Sequence, residues 1–213
     1  MINEEHQKFM SLEEEKRERI LNAAMNEFLN GYKKASTDNI VRSAGISKGL
    51  LFHYFGTKEK LYDFLVDYAI DTVQTEYIDL INTHQKDILD SIWQMSLLKQ
   101  DLSIRFPTIF EFLVRVYVDD KECTAKAHLE RFRQIQAKMI HDIHAQCDLS
   151  LFRDDIPAGK AIEIINMTLT AYSQQKAAQL ETYQPGETVG EKYDIYLAEI
   201  KAYLDIFRAC FYK

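Results

Sequence analysis

Residues that break helices are scarce in this 213-residue sequence, which contains only 7 glycines and 3 prolines. Proteins use on average about 7% glycine and 5% proline, so the shortage excludes collagen-like and low-complexity chains and argues against a turn-rich all-β fold. The breakers are also clustered. Four glycines fall between Gly31 and Gly56, whereas residues 57–155 contain no glycine and a single proline, Pro107. This distribution predicts one region of short elements followed by long helices.

Cysteines and long apolar runs are also rare. The 3 cysteines, Cys123, Cys147 and Cys210, are widely spaced and form no C-x-x-C pair, which argues against a disulfide framework or a zinc module. No segment approaches the roughly 18 consecutive apolar residues of a membrane-spanning helix. The N-terminal segment is acidic and lacks the apolar core of a secretion signal, so we expect a cytoplasmic protein without membrane attachment.

Charge is distributed unevenly along a chain whose net charge is −7. Residues 1–60 carry 10 basic and 9 acidic side chains, whereas residues 61–213 carry 16 basic and 24 acidic ones. Within residues 33–60, six basic side chains outnumber two acidic ones. Binding to nucleic acid depends on such a local patch rather than on the charge of the whole chain, so the asymmetry indicates a nucleic-acid-facing N-terminal end.

Apolar residues recur with helical spacing, and no segment shows the sustained alternation of a β-strand, so we predict an all-α protein of about nine helices. Ser11 and Glu14 form a capping-box pattern at the start of the first helix, which Gly31 ends. Three short N-terminal helices predict a helix-turn-helix domain over residues 1–57. The other helices predict a larger domain over residues 58–213, with a helix over residues 58–82 connecting the two.

The most informative segment covers residues 36–58, STDNIVRSAGISKGLLFHYFGTK. A short helix, a tight turn at Gly45 and a second short helix after Ser47 form the helix-turn-helix plan, which presents its second helix to the major groove of DNA. Ser47 and the free N–H groups that follow it suit a phosphate, and Gly49 lets the backbone approach DNA closely. The three consecutive aromatic residues from Phe52 to Tyr54 cannot all be buried on one short helix.

Hydroxyl, ammonium and aromatic groups in this segment offer contacts to both phosphates and base edges of DNA. The predicted DNA-binding residues are Thr37, Ser47, Lys48, Gly49, Leu50, Phe52, His53, Tyr54 and Lys58.

The same segment resembles the TetR family of bacterial transcriptional regulators. The features in register over residues 12–65 are Phe28, Gly31, Thr37, Ala44-Gly45, Ser47-Lys48-Gly49, Leu51, the aromatic run Phe52 to Phe55, Lys58-Glu59 and Leu61. The resemblance implies a homodimer that binds a pseudo-palindromic DNA operator. It also implies a C-terminal domain that binds a small-molecule effector, and we expect a repressor that this molecule releases from DNA. Phe52 and Leu50 depart from the family pattern, in which tyrosine and a small or polar residue are common.

Aromatic and methionine residues of the middle helices suit an apolar ligand pocket, although at helical spacing such residues more often form plain core. The candidate pocket residues for a largely apolar effector are Trp93, Phe110, Tyr117, His128, Phe132, Met139, Met167 and Tyr172. The last two helices carry aromatic residues on more than one face, which favours a four-helix dimer interface. The candidate interface residues are Ile162, Ile165, Leu169, Tyr196, Ile200, Tyr203 and Phe207.

Two alternatives stay open from the sequence. An interaction module of the same fold could have lost DNA binding, which the acidic balance of residues 61–213 permits, although the intact Ser47-Lys48-Gly49 argues against it. An all-α ligand-binding protein or enzyme could use a C-terminal cavity without binding DNA. No H-E-x-x-H motif, Gly-rich phosphate loop or Ser/His/Asp set supports it, so we expect no enzyme, no catalytic residue and no cofactor. His141 and His144 could ligate a metal, but Cys147 lies about 120° around the helix from His141 and does not complete a site.

Overall fold

The computed structural model describes residues 6–118, 126–180 and 189–213, which form α-helices and short 3-10 turns with no strand. This confirms the all-α expectation. The helices are α1 (Gln7–Met10), α2 (Glu14–Phe28), α3 (Thr37–Ala44), α4 (Lys48–Phe55), α5 (Lys58–Glu76), α6 (Ile88–Arg105), α7 (Pro107–Val118), α8 (Lys126–Gln146), α9 (Ala158–Leu180) and α10 (Val189–Phe211). None of the helices in these ranges is long and apolar enough to cross a membrane.

The chain divides into two compact units, and each unit is made of two stretches of sequence. Unit 1 comprises Met1–Glu76 and Phe106–Ile135, and unit 2 comprises Tyr77–Arg105 and Gln136–Lys213. This division differs from a boundary at residue 57 because α7 packs against both α2 and α5 within unit 1. Helix α5, which follows the helix-turn-helix, ends at Glu76 rather than near residue 82, and a 3-10 turn over Ile78–Leu80 follows it.

The core of unit 1 begins with α2, whose buried residues Ile20, Ala24 and Phe28 follow helical spacing. Two polar contacts fasten α3 against α2. Arg19 Nε donates to the carbonyl oxygen of Ala44 at 2.9 Å, and a carboxylate oxygen of Glu27 accepts from the backbone N–H of Ser36 at 2.8 Å. The Arg19 contact satisfies one of the carbonyls that a helix leaves unpaired at its C-terminal end.

The N-terminal end of the chain differs from the capping-box prediction. Ser11 does not cap α2, because its hydroxyl donates back to the carbonyl of Lys8, and α2 begins at Glu14 after Glu13. A short helix, α1, precedes it and carries Phe9, which is fully buried. Ser11 therefore lies at the end of α1, the helix that buries Phe9, and not at the start of α2.

Helix α7 is central to unit 1, where it packs against both α2 and α5. The helix starts at Pro107, and Ile109, Phe112 and Val116 are buried along it. The Phe112 ring packs edge-on against Tyr62 of α5, with ring centroids 5.8 Å apart. Proline suits the first helical turn because the N–H it lacks would have no partner there.

An ionic cluster joins α5 to α8 inside unit 1. His128 Nδ1 lies 2.7 Å from an Asp67 carboxylate oxygen, and Arg131 bridges Asp67 at 3.3 Å and Asp71 at 2.6 Å. The hydrogen bond to Asp67 raises the pKa of His128 against the opposing effect of burial. Burial opposes ionisation of Asp67, but the hydrogen bond and charge of His128 outweigh it and lower the pKa of Asp67. His128 therefore clamps two helices, which differs from the role of a pocket residue.

Unit 2 is built on α10, which packs along α6 and also contacts α9. Near its C-terminal end, Arg208 donates to Asp87 and Asp90, each at 2.7 Å, and the Tyr212 hydroxyl donates to Asp87 at 2.9 Å. Burial disfavours ionisation of Asp87, but the bonds from Arg208 and Tyr212 outweigh it and lower the pKa of Asp87. Asp87 also accepts from the Leu89 N–H, so one carboxylate ties the start of α6 to the end of α10.

The α5–α8 clamp predicts a pH-dependent stability. Because the pKa of His128 is raised in the folded state, its contribution to the free energy of unfolding is complete below the unfolded pKa of about 6.5. This contribution is lost as pH rises through the folded pKa. The pKa of Asp67 is lowered, so the contribution of Asp67 to the free energy of unfolding is lost in acid, as pH falls below about 4. We expect His128→Gln to cost about 0.5–1 kcal/mol near pH 6 and little near pH 9, measured by urea unfolding.

The matched control is His141→Gln, which alters an exposed histidine on the same helix. Its unfolding free energy relative to the unsubstituted protein should stay constant over the same range. A cost for His128→Gln that is equal at both pH values would contradict the clamp.

Candidate nucleic-acid interface

The turn between α3 and α4 is set by one glycine. Gly45 has φ +65°, in the left-handed region, and the N–H of Ile46 donates to the Val41 carbonyl at 3.0 Å. A Cβ built on Gly45 would meet no atom within 4 Å, so the need for glycine comes from the backbone conformation and not from crowding. Ala44, just before the turn, is fully buried. The predicted helix-turn-helix is confirmed at this position.

The N-terminal end of α4 is capped as the sequence predicts. Ser47 is the N-cap residue, and its hydroxyl oxygen accepts from the Leu50 N–H at 3.2 Å. The hydroxyl satisfies only one of the N–H groups that a helix leaves unpaired at its start. The exposed residues Lys48 and Gly49 follow directly. This end of α4 therefore combines backbone donors, a positive helix end and an ammonium group, which together favour an anion.

The side chains of α4 separate into an inner and an outer face. Leu51 and Phe55 are 1% and 2% exposed and form the inner face. At about 100° per residue, Gly49 and His53 lie on the opposite side, and both are exposed. A Cβ built on Gly49 would meet no atom within 4 Å, so the space outside this residue is open to a partner. The remaining predicted contacts flank this outer face and are half-buried: Leu50, Phe52 and Tyr54.

An aromatic cluster supports α4 from within unit 1. The Phe55 ring centroid lies 4.8 Å from that of Phe9 and 5.2 Å from that of Phe64 on α5. Tyr54 packs edge-on against Phe9 at 5.6 Å and against His53 at 5.4 Å. Such aromatic pairs add stability beyond the area they bury. The cluster holds α4 by its inner face and restrains the Tyr54 ring beside the outer face.

Lys48 is engaged within the chain, which its position in the sequence did not reveal. Its Nζ lies 2.8 Å from an Asp38 carboxylate oxygen on α3. The two side chains are 51% and 63% exposed, so the pair contributes little to stability and a competing anion can replace the carboxylate. Sequence reasoning missed Asp38 because ten positions and a turn separate it from Lys48.

The other two predicted phosphate contacts lie at helix starts. Thr37 is the first residue of α3 and is half-buried. Lys58 is the first residue of α5, and its Nζ lies 4.8 Å from the centroid of the Tyr32 ring. Thr57 caps α5 by accepting from the Lys60 N–H at 3.1 Å. The structure therefore places the predicted DNA-binding residues on a single module of unit 1, α3 to the start of α5.

The candidate pocket residues do not share one environment. Phe132, Met139 and Tyr172 are buried, whereas Trp93 and Phe110 are half-buried. Trp93 borders a surface cleft with a charged rim that includes Lys201, Asp205 and Arg208. The side chain of Tyr117 lies outside the described residues.

Met167 requires a correction as a pocket residue. Its side chain is 65% exposed, so it does not line an interior cavity. The helical spacing placed it correctly on α9 but on the side that faces away from the core of unit 2.

The candidate interface residues fall on two sides of α9 and α10. Ile165, Ile200 and Phe207 are buried in unit 2, at 0%, 2% and 6% exposure, and are covered by their own chain. Four other residues of the same two helices are large, apolar and exposed: Ile164, Met167, Ile195 and Ile206. Ile162, Leu169, Tyr196 and Tyr203 are half-buried between these two groups.

The histidine pair of α8 is not arranged around a metal in the described part of the chain, where no group of three His, Cys, Asp or Glu side chains could hold one. His141 is exposed and His144 is half-buried. His144 Nε2 lies 3.5 Å from the Asn166 side-chain amide, and burial lowers the pKa of this histidine.

The N-terminal segment matches a known family. Residues 20–64 fit the sequence pattern of the family described as bacterial regulatory proteins, tetR family. This range covers α3, the turn and α4 entirely, together with much of α2 and the start of α5. No curated protein matches the sequence significantly.

Solved structures of transcriptional regulators share the fold of the whole chain. The ketosteroid transcriptional regulator KstR2 of Mycobacterium tuberculosis is 20% identical, with a TM-score of 0.62 and 95% of this chain and 97% of that chain covered. A TetR family transcriptional regulator from Chloroflexus aurantiacus J-10-FL is 20% identical, with a TM-score of 0.61 and 97% and 98% covered. A TetR family regulator from Marinobacter aquaeolei VT8 is 16% identical, with a TM-score of 0.57 and 93% and 96% covered.

The family match falls on the helix-turn-helix, and the similarity of fold extends over nearly all of the chain. Residues 20–64 therefore match the tetR family of bacterial regulatory proteins, and the chain has the same fold as solved regulators of that family.

Proposed function

We propose that this protein is a homodimeric transcriptional regulator that binds a pseudo-palindromic operator and is released from it by a small molecule. The observation that carries the proposal is the division of α4 into two faces. Leu51 and Phe55 anchor the helix, while Gly49 and His53 are exposed on the opposite side. A short helix with an open outer face and a positive N-terminal end suits the major groove.

The proposed contacts to DNA are of two kinds: contacts to phosphates, which position the protein, and contacts to base edges, which recognise the sequence. The N–H groups after Ser47, together with Lys48, Thr37 and Lys58, bind phosphates and set the register of α4 on the duplex. His53 lies at the centre of the outer face, where it reaches base edges. Phe52 stands beside it and offers an apolar surface to thymine methyl groups, in place of a hydroxyl.

DNA binding exchanges one partner of Lys48 for another. In the free protein the ammonium pairs with Asp38, and on the operator a phosphate takes the place of that carboxylate. Because both side chains are more than half exposed, the exchange costs little. Asp38 stays close to the phosphate and repels it, so this residue moderates affinity for DNA of any sequence.

A second copy of the chain is the proposed occupant of the exposed apolar faces of α9 and α10. Exposed residues recur on α10 at Ile195, Ala198, Ala202 and Ile206, with spacings of three and four. The two alanines let another helix approach closely, and the isoleucines at either end supply apolar area. This pattern suits a four-helix interface between two chains. The interface residues proposed here replace Ile165, Ile200 and Phe207, which their own chain covers.

Two copies place two α4 helices on one side of the duplex, about 34–36 Å apart or a multiple of that distance. A small molecule acts as an effector only if it binds the DNA-competent and released conformations unequally. We propose that it favours a conformation in which the separation of the two α4 helices no longer fits successive grooves, so affinity for the operator falls.

The DNA contact of Lys48 is tested by the salt dependence of binding. The purified protein is titrated onto a DNA fragment that flanks its own gene, at several salt concentrations, by fluorescence anisotropy. Lys48→Ala should weaken binding and flatten the plot of log affinity against log salt by about one unit of slope, because one phosphate contact is lost. Asp38→Asn should tighten binding, since it removes the competing carboxylate and leaves the lysine charged.

The control is Lys138→Ala, which removes an exposed lysine of α8 and should leave the slope unchanged. An unchanged slope for Lys48→Ala would refute the phosphate contact. No binding by the unsubstituted protein at low salt, with any flanking fragment, would instead favour a ligand-binding protein that does not bind DNA.

The dimer interface is tested by placing a charge on the exposed faces. Met167→Glu and Ile206→Glu should each shift the protein from dimer to monomer in sedimentation velocity, because a buried unpaired carboxylate is costly. Each variant should keep its helical content, since both side chains are more than half exposed in the single chain. Leu149→Glu, at a residue 56% exposed outside α9 and α10, serves as the control and should remain dimeric. Dimers that persist in both variants would place the interface elsewhere.

A further inference from the structure

The turn between α2 and α3 carries an aromatic ring that packs back on α2. Gly31 has φ +92°, in the left-handed region, and its N–H donates to the Phe28 carbonyl at 2.9 Å. This conformation reverses the chain after the helix. The next residue, Tyr32, stacks on Phe28, with the two rings nearly parallel and their centroids 6.1 Å apart. The turn therefore returns Tyr32 to the helix that the chain has just left.

Tyr32 is also held from the side of α5. The Tyr62 ring packs edge-on against Tyr32, with ring centroids 5.1 Å apart, and against Phe28 at 4.9 Å. Phe28 and Tyr62 are 1% and 3% exposed, so both belong to the core of unit 1. Tyr32 itself is half-buried. Core side chains of two helices thus fix the position of its ring, and each aromatic pair adds to the stability of that position.

The ring of Tyr32 lies against the ammonium group of Lys58. Lys58 is the first residue of α5, and its Nζ lies 4.8 Å from the centroid of the ring, within the range of a cation–π attraction. The N-terminal end of a helix disfavours a cation, so α5 itself does not stabilise an ammonium group there. Among the described residues, the partner of this ammonium group is an aromatic face and not a carboxylate.

Lys48 and Lys58 are therefore held in two different ways. Lys48 pairs with Asp38 at 2.8 Å, and this carboxylate has to give way before a phosphate can take its place. An aromatic ring carries no net charge that would repel a phosphate. An ammonium group has three N–H donors, and the face of the ring meets only one side of it. Lys58 can thus keep its aromatic partner while it donates to a phosphate.

We propose that Tyr32 is a positioning residue that holds the ammonium group of Lys58 for a phosphate of the operator. The inference rests on the proposed function, in which Lys58 contacts DNA. A lysine side chain has many rotamers, and ordering it on binding costs affinity. The ring of Tyr32 orders the side chain before DNA binds, so part of this cost is removed. In this role Tyr32 acts through Lys58 and makes no contact of its own with DNA.

The test is a double-mutant cycle on DNA binding. Affinity for the DNA fragment that flanks the gene is measured by fluorescence anisotropy, at one fixed salt concentration, for Tyr32→Leu, Lys58→Gln and the double variant. We expect Tyr32→Leu to weaken binding about two- to tenfold, because Lys58 must then be ordered when DNA binds. In the Lys58→Gln background, the same change should weaken binding less than about twofold, since no ammonium group is left to position.

Three comparisons separate positioning from general damage to unit 1. Tyr32→Phe keeps the ring and should bind DNA as the unsubstituted protein does. Tyr68→Leu removes another half-buried tyrosine of unit 1, which stacks on Phe64 with centroids 6.3 Å apart, and should leave affinity unchanged. In a Lys48→Ala background, Tyr32→Leu should keep its full effect, because Lys48 is held separately by Asp38. Tyr32→Met provides a second variant without a ring in case Tyr32→Leu does not fold.

The contact between the ring and the lysine is also tested without DNA. Protons held over an aromatic face resonate upfield, so the Hε protons of Lys58 should lie upfield of those of the exposed Lys60 in a proton–carbon NMR spectrum of the free protein. Tyr32→Leu should abolish this upfield shift, and Tyr32→Phe should keep it.

The inference would be overturned if Tyr32→Leu had no effect, if it weakened binding equally in both lysine backgrounds, or if Tyr32→Phe bound DNA as weakly as Tyr32→Leu. An ordinary chemical shift for Lys58 in the unsubstituted protein would also overturn it. Unchanged affinity for Lys58→Gln, with Lys48→Ala still flattening the salt dependence, would overturn this inference and leave the proposed function intact. No DNA binding by the unsubstituted protein would overturn both.

Discussion

The proposed DNA-reading surface depends on the packing of one aromatic ring. Phe55 lies between Phe9 of α1 and Phe64 of α5, and together with Leu51 it holds the inner face of an eight-residue helix. A helix this short is not stable alone, so its position comes from tertiary packing. Because the inner face is satisfied in this way, Gly49 and His53 remain outside. The same packing includes α1, so the acidic N-terminal segment stabilises the position of α4 through Phe9.

Charge in this molecule follows two different patterns. Several cations of the described residues pair with a neighbouring carboxylate, as Arg208 does with Asp87 and Arg131 with Asp71. Lys48 is paired but exposed, so its partner can be replaced by a phosphate.

Turn and cap residues in the sequence predicted the helix-turn-helix well. Gly45 at the turn and Ser47 as a helix cap are both found where expected, because each reflects a backbone requirement of its own neighbourhood. Ser11 does not cap α2, because a separate short helix that buries Phe9 ends at this serine, and a capping pattern alone does not reveal such a helix.

The buried side of each helix and the side-chain pairs between helices were harder to predict than the helices themselves. Periodicity places Ile165 and Met167 on α9 but does not say which side meets the rest of the chain, and the two residues proved to be 0% and 65% exposed. His128 was a candidate pocket residue, yet its environment is set by Asp67, which lies on another helix far away in sequence. Such pairings depend on how helices meet, which single-sequence patterns do not contain.

We propose that two copies of α4 read two successive major grooves on one side of DNA. It is tested most directly by hydroxyl-radical footprinting of the protein on the DNA that flanks its own gene. We expect the bound protein to protect two patches of DNA from cleavage. The patches should be related by a pseudo-two-fold axis, with centres about 10 base pairs or a multiple of that apart. A single protected patch, or two patches on opposite sides of the duplex, would contradict it.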